Sequence, residues 1–154
     1  MQQQFTNFKE FFKSIQILHA AMFFGMVMIL VLLKYLMGVE VESDGDLLFP
    51  AIGIGLAISS LVFGQILFNN KMESLKKERS TIQEKLTAYR EAYILKLALL
   101  EGPALVCIIL HFLGGNPLLF YTAIFLIFIF AYERPTEERI KQQLNLHAED
   151  LVEK

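Results

Sequence analysis

The sequence predicts an all-α polytopic membrane protein whose four transmembrane helices form two antiparallel hairpins, extended by a cytoplasmic helical segment and a short amphipathic C-terminal helix. Three observations carry this expectation. Of 154 residues, 55% are hydrophobic and only 19% charged, too apolar for an ordinary soluble domain of this size. Four apolar runs, approximately Ser14–Met37, Leu47–Asn69, Ala92–Leu113 and Pro117–Tyr132, approach or exceed the roughly 17–25 helical residues needed to cross a hydrocarbon core of about 30 Å. None of the 14 Lys and Arg residues falls between the first and second runs or between the third and fourth.

Helices are the expected form because an open strand would leave its amides unpaired in lipid, and no run alternates with period two. The first run follows a short charged stretch (Lys9, Glu10, Lys13). It is too long for a signal-peptide core, and no small-x-small cleavage site follows Met37, so it is expected to be a retained helix. Asp46 is placed to cap the second helix, with Pro50 tolerated in its first turn. Thr81-Ile82-Gln83-Glu84 has the pattern of a capping box, followed at helical spacing by Ile82, Leu86, Tyr89 and Tyr93, so the third helix is expected to begin well outside the membrane. Gly114-Gly115 ends that helix, and Asn116-Pro117 starts the fourth. Residues 1–132 thus form the expected bundle. In the tail, 133–154, Arg134-Pro135 breaks the run and Thr136 caps a helix carrying Ile140, Leu144, Ala148 and Leu151, expected to lie along the membrane surface.

Charge sets the expected orientation. The first loop carries Glu40, Glu42, Asp44 and Asp46, whereas Lys71, Lys76, Lys77, Arg79, Lys85 and Arg90 lie between runs two and three, and Arg134, Arg139, Lys141 and Lys154 follow run four. The positive-inside rule makes the basic segments and both termini cytoplasmic. Lys34 and Lys96 lie near helix ends, where they can snorkel to headgroups. Phe8-Lys9-Glu10-Phe11-Phe12 parallels Tyr89-Arg90-Glu91-Ala92-Tyr93, a short hint of two duplicated hairpins.

Glu101 is the leading candidate for function. It lies nine positions into the third run, about 13 Å deep at 1.5 Å per residue, where a lone ionised carboxylate costs several kcal/mol. It must be neutral, paired or facing a wet cavity, and it serves as a proton or cation site, a contact for a partner helix, or a polar group fixing the packing. Ser59 and Ser60 on helix two, and Tyr121 and Thr122 on helix four, fall at a similar depth. Nearer the basic end, His19, Gln65 and Lys96 make a second polar layer, either a proton path or interfacial groups reaching water. Gly102-Pro103 predicts a kink beside Glu101, since proline removes one helical hydrogen bond and crowds the carbonyl of Leu99. Helix two carries small residues, with Ala51/Gly55, Gly55/Ser59 and Ser60/Gly64 spaced for close helix packing and Gly53 beside them. Helix four, with Phe120, Phe125, Phe128 and Phe130, is expected to face lipid.

The stretch Ala51–Leu113 resembles in plan the proteolipid (subunit c) hairpin of rotary ATPases. A glycine-bearing helix, Ile52-Gly53-Ile54-Gly55-Leu56-Ala57, leads through a polar turn to a returning helix with Ala98-Leu99-Leu100-Glu101-Gly102-Pro103-Ala104-Leu105. The resemblance implies an ion-binding carboxylate at Glu101 and close packing at Gly53 and Gly55. The connection here is longer than that family's short turn, the glycine repeat is truncated, and four-helix proteolipids keep their termini on the other side. As a whole, the chain is similar to small four-helix bacterial membrane proteins of unassigned function, which implies an inner-membrane location.

Nothing in the sequence points to catalysis. There is no Ser/His/Asp or Cys/His constellation, no His-x-x-x-His or Glu-x-x-His metal spacing and no glycine loop before a lysine. Cys107 is the only cysteine, and a net charge of −2 gives no footprint for nucleic acid. No cofactor or metal is expected. The expected role is a non-catalytic subunit or accessory of a larger membrane assembly, with the lipid bilayer, a protein partner or further copies of the chain as partners, and the basic segment and tail as docking surface. Proton or cation translocation through Glu101 is the alternative.

Overall fold

The computed structural model describes residues 8–37, 47–77 and 81–146. It is all-α, with helices α1 (Phe8–Met37), α2 (Leu48–Lys77), α3 (Ile82–Gly114), α4 (Pro117–Tyr132) and α5 (Glu137–Leu144). The first three are each long and apolar enough to cross a membrane. At 16 residues, α4 spans only about 24 Å, and it meets α5 at 76° across a short break. The acidic first loop with the Asp46 cap, Arg79, Ala148, Leu151 and Lys154 lie outside the described residues.

Local chemistry sets the helix ends. Thr81 Oγ1 accepts from the Glu84 amide at 3.4 Å, while the Glu84 carboxylate accepts from the Thr81 amide at 2.8 Å, so each orphan donor finds a side chain. Gly115 (φ 66°) closes α3 in the left-handed region, its amide donating to the His111 carbonyl at 2.8 Å. This backbone conformation favours glycine. Asn116 Oδ1 then accepts from the Leu118 amide, with Pro117 at the start of α4.

α3 is the central helix, packing on α2, α4 and α1. Its buried face includes Tyr89, Tyr93, Leu97, Leu100, Ala104, Cys107 and Ile108, and it runs unbroken through the buried Pro103. From α2, residues Gly53, Ala57, Gly64 and Phe68 turn inward. A Cβ at Gly53 would collide with a Leu119 methyl and lie 3.2 Å from Cys107 Sγ, whereas Gly64 faces Leu99 at an ordinary 3.6 Å. Gly55 is two residues from Gly53, about 200° around the helix, and a Cβ there would meet open space. Within the chain, α2 is thus closely packed at Gly53 and open at Gly55.

Two further expectations need correction. α4 does not simply face outward: Leu119, Ala123, Leu126, Ile127 and Phe130 are buried against the other helices, and Phe125 and Phe128 are exposed. α5 does not lie free along a surface, because Ile140 and Leu144 are wholly buried. It packs against α2, with Lys141 Nζ 5.3 Å from the Phe8 ring centroid and Tyr89 Oη donating to Gln143 Oε1 at 3.0 Å. An Ile140→Asp substitution would bury an unpaired carboxylate at several kcal/mol. The expected outcome is release of α5, seen in limited trypsin digestion as new cleavage at Arg139 and Lys141 while the rest of the chain stays protected.

Candidate functional site

The structure places polar side chains in two settings. The first lies where the N-terminal ends of α1 and α3 meet the C-terminal ends of α2 and α4. There α4 stops at Tyr132, and the amide of Arg134 turns to the Ala131 carbonyl. The Phe130 carbonyl thus loses its next-turn amide and needs another donor. His19 of α1 supplies one, with Nε2 at 3.0 Å. Tyr93 of α3 caps in the same way, its hydroxyl donating to the Glu133 carbonyl at 3.0 Å. His19 lies against the rings of Phe130 and Tyr93, at centroid distances of 4.9 and 6.4 Å.

Lys96 completes this cluster and overturns the expectation that it snorkels to headgroups. Its residue is 8% exposed. Nζ pairs with Glu133 Oε2 at 2.8 Å and sits 5.0 Å from the Phe68 ring centroid. The reason is local: Glu133 directly follows α4 and lies within reach of Lys96, and the aromatic face of Phe68 favours the cation. Sequence reasoning missed this pair, although Glu133 is the first charge after α4 and a visible signal. Gln65, expected at the same level, is exposed and donates to Asn69 on its own helix at 3.1 Å. His19 and Lys96 are therefore gathered through Tyr93 and Glu133, and Gln65 is left out.

The second setting is Glu101. It is half-buried on α3 and has no hydrogen-bond or ion-pair partner among the described residues. The groups expected around it do not converge. Ser59 Oγ donates to the carbonyls of Gly55 (2.7 Å) and Leu56, and Thr122 Oγ1 donates to that of Leu118 at 2.8 Å. Both hydroxyls are satisfied by their own helices. Tyr121 is exposed, and Ser60 is half-buried with no bond to Glu101. Glu101 instead borders an exposed strip of α3 that contains Leu95, Ala98, Gly102 and Ile109. A Cβ at Gly102 would meet nothing within 4 Å.

No three His, Cys, Asp or Glu side chains come together as a metal site among the described residues. No family model, curated protein or solved structure matches the chain.

Proposed function

We propose that this chain crosses the membrane four times as two antiparallel hairpins and serves as a non-catalytic subunit of a larger membrane assembly, with Glu101 as its contact to a partner helix. Support for the crossings comes from the three long apolar helices and from α4, which starts at a tight cap after α3 and returns to the end where Phe8 and Tyr89 lie. The basic residues gathered at that end make it the cytoplasmic one by the positive-inside rule.

The observation that carries the assembly role is the half-buried carboxylate with no partner among the described residues. A polar group at that depth is costly unless paired; Ser59 and Thr122 bond within their own helices and neither Ser60 nor Tyr121 bonds to Glu101, so the proposed partner comes from outside the described residues. Ala98 and Gly102 flank Glu101 on the exposed side, and small residues let a second backbone approach closely enough for a hydrogen bond. The docked α5 has its apolar face covered, which makes the α3 strip a better contact than the tail.

The test is the native mass of the protein extracted from its own membrane in mild detergent, compared with that of Glu101→Leu. The expected wild-type particle contains a different protein, and the variant loses about five- to thirtyfold of it, the change that one interhelical hydrogen bond of ~1–2 kcal/mol produces. An equal yield of the companion with the variant would end this reading. A closed ring of identical copies would replace it with the proteolipid-like one. In that case Glu101→Gln should abolish proton or sodium flux in liposomes.

A further inference from the structure

A groove of about 480 Å³ opens between α1 and the end of α4. Gln16, His19 and Arg134 are its polar lining residues, and Ile17, Ala20, Phe23 and Phe24 of α1 make an otherwise apolar floor beside Ala131. From Gln16 to Phe24 the floor runs about 12 Å along the helix axis. Ile17 and Phe24 are 59% and 67% exposed, so the groove lies open along its apolar side. Arg134 makes no ion pair with any described residue, while the neighbouring Glu133 pairs with Lys96. Exposed Tyr132, with the Arg139 guanidinium 5.4 Å from its ring centroid, marks this level as one where aromatic and basic residues gather, the composition of a membrane interface.

The two ends of the groove ask for one amphiphilic ligand. A free guanidinium matches a phosphate through paired N–H donors, and the aromatic floor matches a hydrocarbon chain. We propose that the groove binds one anionic phospholipid, its headgroup phosphate at Arg134 and Gln16 and the first part of an acyl chain over Ala20, Phe23 and Phe24. The site is separate from Glu101 and does not depend on the assembly role.

The experiment is native mass spectrometry of the delipidated full chain in detergent, titrated with phosphatidylglycerol or with phosphatidylcholine of the same acyl chains. Wild type is expected to retain one phosphatidylglycerol about fivefold better than phosphatidylcholine, the preference one basic residue confers at an anionic headgroup. Arg134→Gln should erase that preference, and Arg139→Gln should keep it. Ala20→Phe, which fills the floor, should lower retention of both lipids in a chain that keeps its thermal unfolding temperature. Equal retention of the two lipids by wild type, or an equal loss in both arginine variants, would show only general attraction to a basic surface and overturn the proposal. Binding of inorganic phosphate that competes with the lipid at similar concentration would overturn it in favour of a free-anion site.

Discussion

Replacing Glu133 by Leu is expected to destabilise the fold by about 2–3 kcal/mol, below the ~3–5 kcal/mol typical of breaking a fully buried pair. The discount arises because the Glu133 side chain is 25% exposed, against 9% for that of Lys96. The asymmetry predicts an order. Glu133→Leu strands an ammonium among Phe68, Tyr89 and Tyr93, where little water reaches it. Lys96→Met leaves a carboxylate that turns toward solvent, so it should cost less. Combining the two changes removes both charges and should recover much of the loss, since an apolar replacement of a buried pair is often neutral. Thermal unfolding of the four proteins in detergent gives the coupling directly. Strict additivity would mean that the ion pair contributes nothing to the fold.

The fold was legible in the sequence wherever a few neighbouring residues decide the structure. Thr81 with Glu84, Gly115 in its left-handed turn and Asn116 before Pro117 each act over one helical turn, and the structure shows each of them. The apolar runs follow from composition, and the structure bears out three as long enough to cross a membrane. What escaped were choices between helix faces. Small residues occur on both sides of α2, and only contact with Cys107 and Leu119 selects Gly53 rather than Gly55. The alternation of Ile140 and Leu144 announced an amphipathic helix, but not that protein rather than lipid would cover it.

Counting along each helix groups Ser59, Ser60, Tyr121 and Thr122 with Glu101, but it does not give the face each side chain takes, and hydroxyls have an intrahelical carbonyl always within reach. Lys96 was misjudged because hydropathy assigns a basic residue near a helix end to the interface, whereas its true environment depends on a carboxylate delivered by a different helix. His19 answers a carbonyl freed at the end of α4, a demand that exists only once the chain has turned at Arg134.

The second large effect is expected at Gly53. The first added atom at this position already collides with the Leu119 methyl. Leu119 and Cys107 are both 0% exposed, so anything larger than a methyl must displace packed neighbours. Gly53→Ala should cost about 1 kcal/mol, because one leucine methyl can rotate away. Gly53→Leu should cost about 3 kcal/mol or more, at the top of the range for overpacked cores, since α2 must then move away from α3 and α4 together. Gly55→Leu is the matched control. Facing open space, it should change stability by no more than about 0.5 kcal/mol. The pair therefore separates folding from assembly: in thermal unfolding only the Gly53 variant should fall, while any loss of a companion protein from the Gly55 variant must be a loss of contact, because the chain presenting it is still folded. Equal destabilisation at both positions would mean that α2 presents a different face to α3, and the Gly53, Ala57, Gly64 and Phe68 register would have to be abandoned.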